Sequence, residues 1–515
     1  MKELVYHRQF FPMMERWPDK VGFHDAAYHG TFAQHGDRVL RLADAMRSEL
    51  GLRPGDRFVV MSCNSHEYLE LYHAAFLGAA IINPLNLRLA GAELQHILVD
   101  SGATVAFVDA VFADHFLRNI ADVRSDLALR HVVLIGDGDV PIGLRYEDLI
   151  ATGKANVPTE PDETDPVVLM YTGGTTGLAK GVLLEQRAEM LNFYHVGMAV
   201  DFGDERVYLH QTPMFHAASM AGILGLPVTG GTSVFVPLFD PGQVMSMIET
   251  YGVDWTVMVP TMIALMIDHP EFRPERVASL RDLVYGASPM PAALLERLMT
   301  TFPDISLWQG YGMTECSSIL TLLTPADHRR VNVRQSAGRP AIGVTLSIRD
   351  PEGSAVARGV DGEVYAQGGN FMREYWRQPE QTAAAFRDGW YRTGDAGHLD
   401  DEGYLHLVDR VKDMIITGGE NVYSIEVENA ISTHPAVAQV AVIGIPHDVW
   451  GEQVHAIVVL RPGMEATADE IREHARGSIA GYKLPKSIEF RTDPIPLSGA
   501  LKPLKRELRR QYWPS

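Results

Sequence analysis

Two apolar runs, Val167-Val-Leu-Met-Tyr171 and Val182-Leu-Leu184, enclose the stretch Tyr171-Thr-Gly-Gly-Thr-Thr-Gly-Leu-Ala-Lys180-Gly. Seven of its eleven residues are Gly or Thr, so backbone N–H groups and hydroxyls can turn toward a ligand unobstructed. Each flanking run is short and predicts a buried strand, and helical periodicity starts only near Arg187. The stretch therefore predicts a strand–loop–strand hairpin. That sets it apart from the phosphate loop G-x-x-x-x-G-K-[ST], which opens a helix; here no Gly-Lys pair is followed by Ser or Thr. A polyphosphate held here rests on backbone N–H groups, hydroxyls and Lys180 rather than on a helix dipole. Taken alone, the same stretch also reads as a flexible surface loop, so the rest of the chain has to decide.

At 515 residues the chain exceeds what one core supports, and two or more domains are expected. A net charge of −20 argues against nonspecific binding to nucleic acid or an anionic membrane, so no nucleic-acid partner is expected. An anionic ligand then needs a locally basic pocket. Cys63 and Cys316 stand far apart and outside metal-ligand spacing, which fits a reduced, cytoplasmic setting. The start, Met1-Lys-Glu-Leu-Val-Tyr-His-Arg, has no long apolar run and hence no apparent secretion signal. Residues 217–239 carry no charge and are long enough to span a membrane. Pro227 and Thr229-Gly-Gly-Thr232 interrupt them, so a buried helix, a turn and a buried strand are expected instead, with no integral membrane segment.

Over the first ~400 residues, short apolar runs such as 57–61, 104–108, 131–135, 254–259 and 283–285 alternate with helical patterns such as 67–77 and 291–300. This predicts layered α/β architecture. From Ala341 onward short strands with Gly and Asp turns predict a barrel or antiparallel sheet. The charge cluster Asp409-Arg-Val-Lys-Asp413 marks a boundary, giving domains at 1–409 and 410–515. In the second, 424–432 reads as a helix, 439–443, 453–460 and 486–490 as strands, and Thr467-Ala-Asp-Glu470 as a capping box.

Four further motifs follow the loop in order. Gln309-Gly-Tyr-Gly-Met-Thr-Glu315 offers a flat ring beside glycines, then a hydroxyl and a carboxylate suited to Mg²⁺. Trp390-Tyr-Arg-Thr-Gly-Asp395 places an acid, suited to a ribose diol, after a turn. Asp409-Arg410-Val-Lys412-Asp413 runs on into Gly418-Gly419-Glu-Asn421, and Leu497-Ser-Gly-Ala-Leu-Lys502-Pro closes the set. Singly these read as a core tyrosine, a turn aspartate, a solvated charged face and a basic surface helix.

Together and in this order the motifs resemble the adenylate-forming superfamily of acyl-CoA synthetases, luciferases and peptide-synthetase adenylation domains, over about residues 31–510. Asn83-Pro, Arg88-Leu, Pro213-Met-Phe-His216, Gly286-Ala-Ser-Pro289 and Gly338-Arg-Pro340 add to the likeness. The resemblance implies a multidomain α/β fold. A large N-terminal domain of two α/β layers and a distorted β-barrel precedes a small, mobile α+β C-terminal domain. It implies an enzyme that joins a carboxylic acid to the α-phosphate of Mg·ATP, releasing pyrophosphate, and then passes the acyl group to a thiol with release of AMP. ATP, Mg²⁺ and coenzyme A are the cofactors and co-substrates so implied.

By the same resemblance, Lys502 bridges the acid and the α-phosphate. Lys180 and the loop residues Gly173, Gly174, Thr175, Thr176 and Gly177 hold the other phosphates. Thr172 and Glu315 position Mg²⁺. Gly286, Ala287, Ser288, Gln309, Gly310, Tyr311, Gly312, Met313 and Thr314 frame the nucleotide, and Asp395 with Arg410 holds the ribose. Lys412 is the hinge, and Gly418 and Gly419 leave room for the pantetheine arm of CoA. His216, Ala218, Met220, Val259, Thr261, Gly286 and Ser317 line the acyl pocket. His216 also reads as a core histidine.

The run Phe215-His-Ala-Ala-Ser lacks the aspartate with which amino-acid-activating members pair an amino group, and Lys412-Asp-Met-Ile-Ile-Thr-Gly-Gly-Glu-Asn421 looks like CoA ligases. The lining is mostly small or apolar, so an acid with an uncharged tail is expected: a fatty acid first, an aryl or cinnamate-type acid second. Transfer to a carrier protein, and a nucleotide-binding homologue without efficient catalysis, are the other outcomes. A homodimer is compatible with these expectations. Three positions depart from the family. Gln186 replaces a histidine, with little effect expected. Ser424 replaces a proline and is expected to cap a helix. Leu501 replaces the glycine before the lysine, and leucine resists backbone angles that glycine allows. Lys505 is the second choice for the lysine role.

Overall fold

The computed structural model describes residues 4–25, 28–121, 123–172, 179–410, 413–417, 420–447, 449–499, 501 and 503–513, with only the backbone described at 410, 420 and 421. Two large sheets form the body of the protein. In one, the strands Arg57–Met61, Ile81–Pro84, Val105–Asp109 and His131–Ile135 run parallel beside Pro166–Thr172. In the other, Val207–His210, Thr232–Phe235, Trp255–Met258, Asp282–Gly286 and Ser306–Tyr311 run parallel. Parallel strands are covered on both faces and so read as unbroken apolar runs. The run Phe58-Val-Val-Met61 is buried at every position. The intervening helices start where short polar side chains take up free N–H groups: Thr31 forms a capping box ahead of Phe32–Ser48, and Ser65 caps His66–Phe76.

The expected hairpin is present. Pro166–Thr172 pairs antiparallel with Lys180–Glu185, and a helix, Gln186–Gly197, follows. Residues 217–239 break into a 3₁₀ turn, a π turn at Ala221–Gly225, one short helical turn and the strand Thr232–Phe235. No helix among the described residues is long and apolar enough to cross a membrane. Where a barrel-like part was expected, Thr345–Arg349, Gly362–Gln367, Phe386–Arg387, Trp390–Leu399 and Leu405–Arg410 form an antiparallel sheet. A fourth sheet lies wholly after residue 414. Its long hairpin, Val437–His447 with Gly451–Leu460, carries the helix Ser424–Ser432 on one side.

At two departures the structure adds to or corrects the expectation. Gln186 has a structural role that the sequence did not show. It is buried, its Oε1 accepts the Tyr6 N–H at 3.4 Å and its Nε2 donates to the Phe76 carbonyl at 2.8 Å. It thereby ties the first helix, His7–Arg16, to the end of His66–Phe76. Ser424 does not cap its helix through its hydroxyl. Its backbone N–H donates to Asp409 Oδ2 at 2.5 Å, and its Oγ accepts Lys505 Nζ at 2.6 Å. A proline here would lack the N–H that Asp409 receives.

Replacing Gln186 by Ala strands a buried N–H and a buried carbonyl, so the large domain should lose about 1–3 kcal/mol. Urea unfolding followed by a large-domain probe checks this, and an unchanged midpoint would remove the bridging role.

Candidate active site

The two residues that flank the glycine-threonine loop, Thr172 and Lys180, are register partners at the open end of the hairpin. The neighbouring strand Glu374–Tyr375 pairs with Lys180–Glu185, opposing Tyr375 to Val182. That brings the Tyr375 ring under Lys180, whose Nζ lies 5.0 Å from the ring centroid. The Tyr375 hydroxyl donates to Glu315 Oε1 at 2.9 Å and lies 3.2 Å from the Tyr391 hydroxyl. Burial, then the Glu315 carboxylate, push the Tyr375 pKa up, so the hydroxyl stays protonated as a donor. One ring thus joins Lys180 of the first large sheet to Glu315 of the second. Neither Tyr375 nor Tyr391 was singled out from the sequence. The Glu374-Tyr-Trp376 run gave no periodic signal; its neighbours matter only once the strand is paired.

Glu315 Oε2 accepts no hydrogen bond among the described residues. Together with the half-buried Thr172 hydroxyl it supplies hard oxygen donors of the kind Mg²⁺ takes. The loop residues Gly173, Gly174, Thr175, Thr176 and Gly177 lie outside the described residues.

Beside this cluster, the C-terminal ends of adjacent parallel strands meet. Gly286 pairs with Gly310, and a Cβ on Gly286 would stand 2.1 Å from the Gly310 carbonyl oxygen. A Cβ on Gly312 would stand 2.0 Å from the Ser318 carbonyl oxygen. Only glycine fits either close approach. The turns that follow hold non-glycine residues at positive φ: Ala287 at 63°, Ser317 at 53° and Ser318 at 106°. Such strain concentrates where a backbone is held for a purpose. The segment Gln309, Gly310, Tyr311, Gly312, Met313 and Thr314 is half-buried, as are Ala287 and Ser288. The Tyr311 hydroxyl donates to Asp395 Oδ2 at 2.7 Å. Burial first, and Asp395 second, hold the Tyr311 pKa well above its ordinary value. Asp395 is in turn the register partner of Arg410, whose side chain is outside the description.

The residues expected to line an acyl pocket fall on this same edge. His216, Ala218 and Met220 follow the strand ending at His210, Val259 and Thr261 follow Met258, Gly286 ends its own strand, and Ser317 follows Tyr311. Ligands bind at such carboxyl-end crevices in α/β sheets. The His216 Nδ1 accepts the Ala218 N–H at 3.2 Å. Polar atoms also sit there without hydrogen-bond partners among the described residues: Ser317 Oγ and Gln211 Oε1, both buried. Behind them the helix Gln186–Gly197 places the carboxyl of Glu189, fully buried and likewise unpartnered, with Tyr72 and Cys316 within its electrostatic reach. A glutamate inside a mixed helical pattern carries no sequence signal of burial.

The C-terminal segment docks on the large domain. A Cβ on Gly499 would stand 2.0 Å from Asn86 Oδ1, and Arg88 Nη1 donates to the Ser498 carbonyl at 3.5 Å. Leu501 is buried at 9% exposure in an apolar cluster with Val259, Tyr285 and Met290, and Leu497 packs against the same cluster. The backbone at Leu501 has φ +58°. For leucine that conformation costs about 1–2 kcal/mol, and burying the side chain returns about 2 kcal/mol. Lys505 is committed elsewhere: its Nζ pairs with Glu428 Oε1 at 2.7 Å besides its bond to Ser424. Lys502, Lys412, Gly418 and Gly419 lie outside the described residues.

Comparison with known proteins places this geometry in a family. Residues 10–376 match the family model "AMP-binding enzyme", and 426–502 match "AMP-binding enzyme C-terminal domain". The chain is 38% identical to a feruloyl-CoA synthase of an Amycolatopsis species, over 95% of this chain and 96% of that protein. It is 36% identical to the long-chain-fatty-acid–CoA ligase FadD13 of Mycobacterium tuberculosis, over 94% and 93%. A solved structure of the anthranilate CoA ligase AuaEII with anthranoyl-AMP superposes with a TM-score of 0.91 at 26% identity, covering 99% of this chain and 97% of that one.

Burial pushes the Glu189 carboxyl up to about 8. The folded chain therefore holds a proton that the unfolded chain has released between the ordinary carboxylate range and about pH 8, and stability falls as pH rises through that window. Glu189→Gln should remove this slope, so the variant gains on the parent as pH rises; parallel pH profiles of the urea midpoint would count against it.

Proposed function

The chain belongs to the AMP-binding enzymes, in the acyl-CoA ligase branch of the adenylate-forming superfamily, and is an AMP-forming acid–CoA ligase; from that premise we propose that its acid is aryl-tailed and that the residues gathered around Tyr375 and Tyr311 carry the reaction. The observation behind this reading is the meeting of Lys180, Tyr375 and Glu315 beside the Tyr311–Asp395 bond.

A carboxylate is a poor electrophile, because its oxygen is a bad leaving group. Joining it to the α-phosphate of ATP installs a good one. That step brings two anions together, so positive charge placed in advance lowers its barrier. Lys180 and the 173–177 loop hold the β- and γ-phosphates. Tyr375 fixes the Glu315 carboxylate, which with Thr172 holds Mg²⁺ when bound; the ion neutralises phosphate charge. Tyr311 and the 286–288 turn frame the base, while Asp395, oriented by the Tyr311 hydroxyl, receives the ribose hydroxyls with Arg410. Lys502 bridges the acid and the α-phosphate. Pyrophosphate leaves, the C-terminal domain turns about Lys412, and Gly418 and Gly419 admit the CoA thiol, which attacks the acyl carbon and expels AMP. The domain division near 409/410 belongs to the same reading.

Ser317 Oγ and Gln211 Oε1 are buried at these strand ends without partners among the described residues, and a hydrocarbon tail reaching them would leave them unpaired, which is unfavourable. A substituted aromatic acid can pair with them. This favours the aryl acid over the fatty acid; relatives named for acids of both kinds stand at similar identity, 38% and 36%.

The test is CoA-dependent AMP formation across a panel of acetate, fatty acids, benzoates, cinnamates and amino acids, with mass spectrometry of the thioester. Aryl-CoA should dominate. A clear fatty-acid preference would overturn the substrate class, and adenylate without thioester would point to a carrier-protein acceptor. Lys502→Ala should abolish adenylate formation yet spare thioester formation from supplied acyl-adenylate; equal loss of both steps would remove its assigned role.

A further inference from the structure

Leucine at 501 combines a left-handed backbone, φ +58°, with a buried apolar side chain. The turn that carries it is tight. The Leu501 N–H donates to the Ser498 carbonyl at 2.9 Å, the Leu504 N–H donates to the Pro496 carbonyl at 2.9 Å, and Leu497 bridges Pro503. Gly499 sits so close to the Asn86 side chain of the large domain that a Cβ there would stand 2.0 Å from its Oδ1. The Leu501 side chain then enters the cluster built by Val259, Tyr285 and Met290, on the strand ends that form the candidate active site. Among glycines and leucines alike, only a residue with a side chain can use that cluster as an anchor.

We propose that Leu501 is a positioning residue: an apolar latch that holds the C-terminal segment on the large domain in this orientation, biasing the enzyme toward adenylate formation and against the turned orientation that thioester formation requires. The bias comes from burial that exceeds the local backbone strain. When the C-terminal domain turns, both the burial and the need for positive φ are given up together. A ligand or side chain shifts a two-state equilibrium only by its differential interaction with the two states, and Leu501 supplies one. The inference rests on the acid–CoA ligase reading for its kinetic form, though the docking itself is independent of any reaction.

Three variants separate strain from anchoring. Leu501→Gly loses the anchor and the strain. Leu501→Ala loses most of the anchor and keeps the strain. Leu501→Asn keeps a residue that tolerates positive φ but lacks an apolar side chain. Adenylate formation, measured as pyrophosphate exchange without CoA, should rank wild type above Gly above Ala, with Asn near Gly and Gly down about fivefold. Thioester formation from supplied acyl-adenylate should not fall in any of them. Equal or faster exchange in Leu501→Gly, Ala matching or exceeding Gly, or a parallel drop in both half-reactions would overturn the latch.

A readout free of turnover accompanies this. Hydrogen exchange of residues 497–501 should lose protection in the order Ala, then Gly, then wild type, on the full chain with no substrate. Unchanged protection in every variant overturns the proposal. Absence of pyrophosphate exchange in the wild type with the protection order intact would instead sink the ligase reading and leave the docking role standing.

Discussion

The site depends on one tyrosine placed between a lysine and a carboxylate. Tyr375 reaches Glu315 through its oxygen and Lys180 through its ring face. Lys180 lies on one large sheet and Glu315 in the 3₁₀ turn between two strands of the other, and each is half-buried. A cation over a ring and a carboxylate at the ring's hydroxyl are held at opposite parts of one rigid side chain. They form no salt bridge with each other that would neutralise both. That spacing keeps the lysine available to an incoming anion and the carboxylate available to an incoming cation, in a chain whose net charge is −20 and which needs its positive charge placed locally.

Around that centre the fold supplies rigidity by crowding. Gly286 and Gly312 approach carbonyl oxygens so closely that any side chain would displace a strand end. The neighbouring turns at Ala287, Ser317 and Ser318 hold positive φ without glycine. Such positions persist where the surrounding strands over-determine the backbone: parallel neighbours flank the strand before Ala287, and an antiparallel pair brackets Ser317 and Ser318. The Tyr311–Asp395 bond extends the same order to the antiparallel sheet, so three sheets meet at one cleft. The C-terminal segment is the exception. It touches this body through Gly499, Ser498 and two leucines, a small contact suited to being made and broken.

Local signals in the sequence carried well. The hairpin at 166–185, the helix Ser424–Ser432 and the capping box at Thr467 each follow from patterns within a dozen residues, and each is present. Signals that depend on distant partners did not. Gln186 reads as an indifferent replacement until Tyr6 and the Phe76 carbonyl are seen on either side of it. Ser424 reads as a cap until Asp409 and Lys505 take its backbone and its hydroxyl. Lys505 reads as a second choice for a catalytic lysine until Glu428 claims it.

By itself the sequence determined the family, the order of the motifs and the kinds of group each contributes, because those are properties of residue type and spacing. Only the tertiary structure decided that Tyr375 joins Lys180 to Glu315, that Glu189 is a buried acid with no partner among the described residues, and that Leu501 accepts a left-handed backbone in exchange for an apolar seat on the other domain. The first and last of these join residues from 60 to over 200 positions apart, and no local periodicity records which distant surfaces a fold brings into contact.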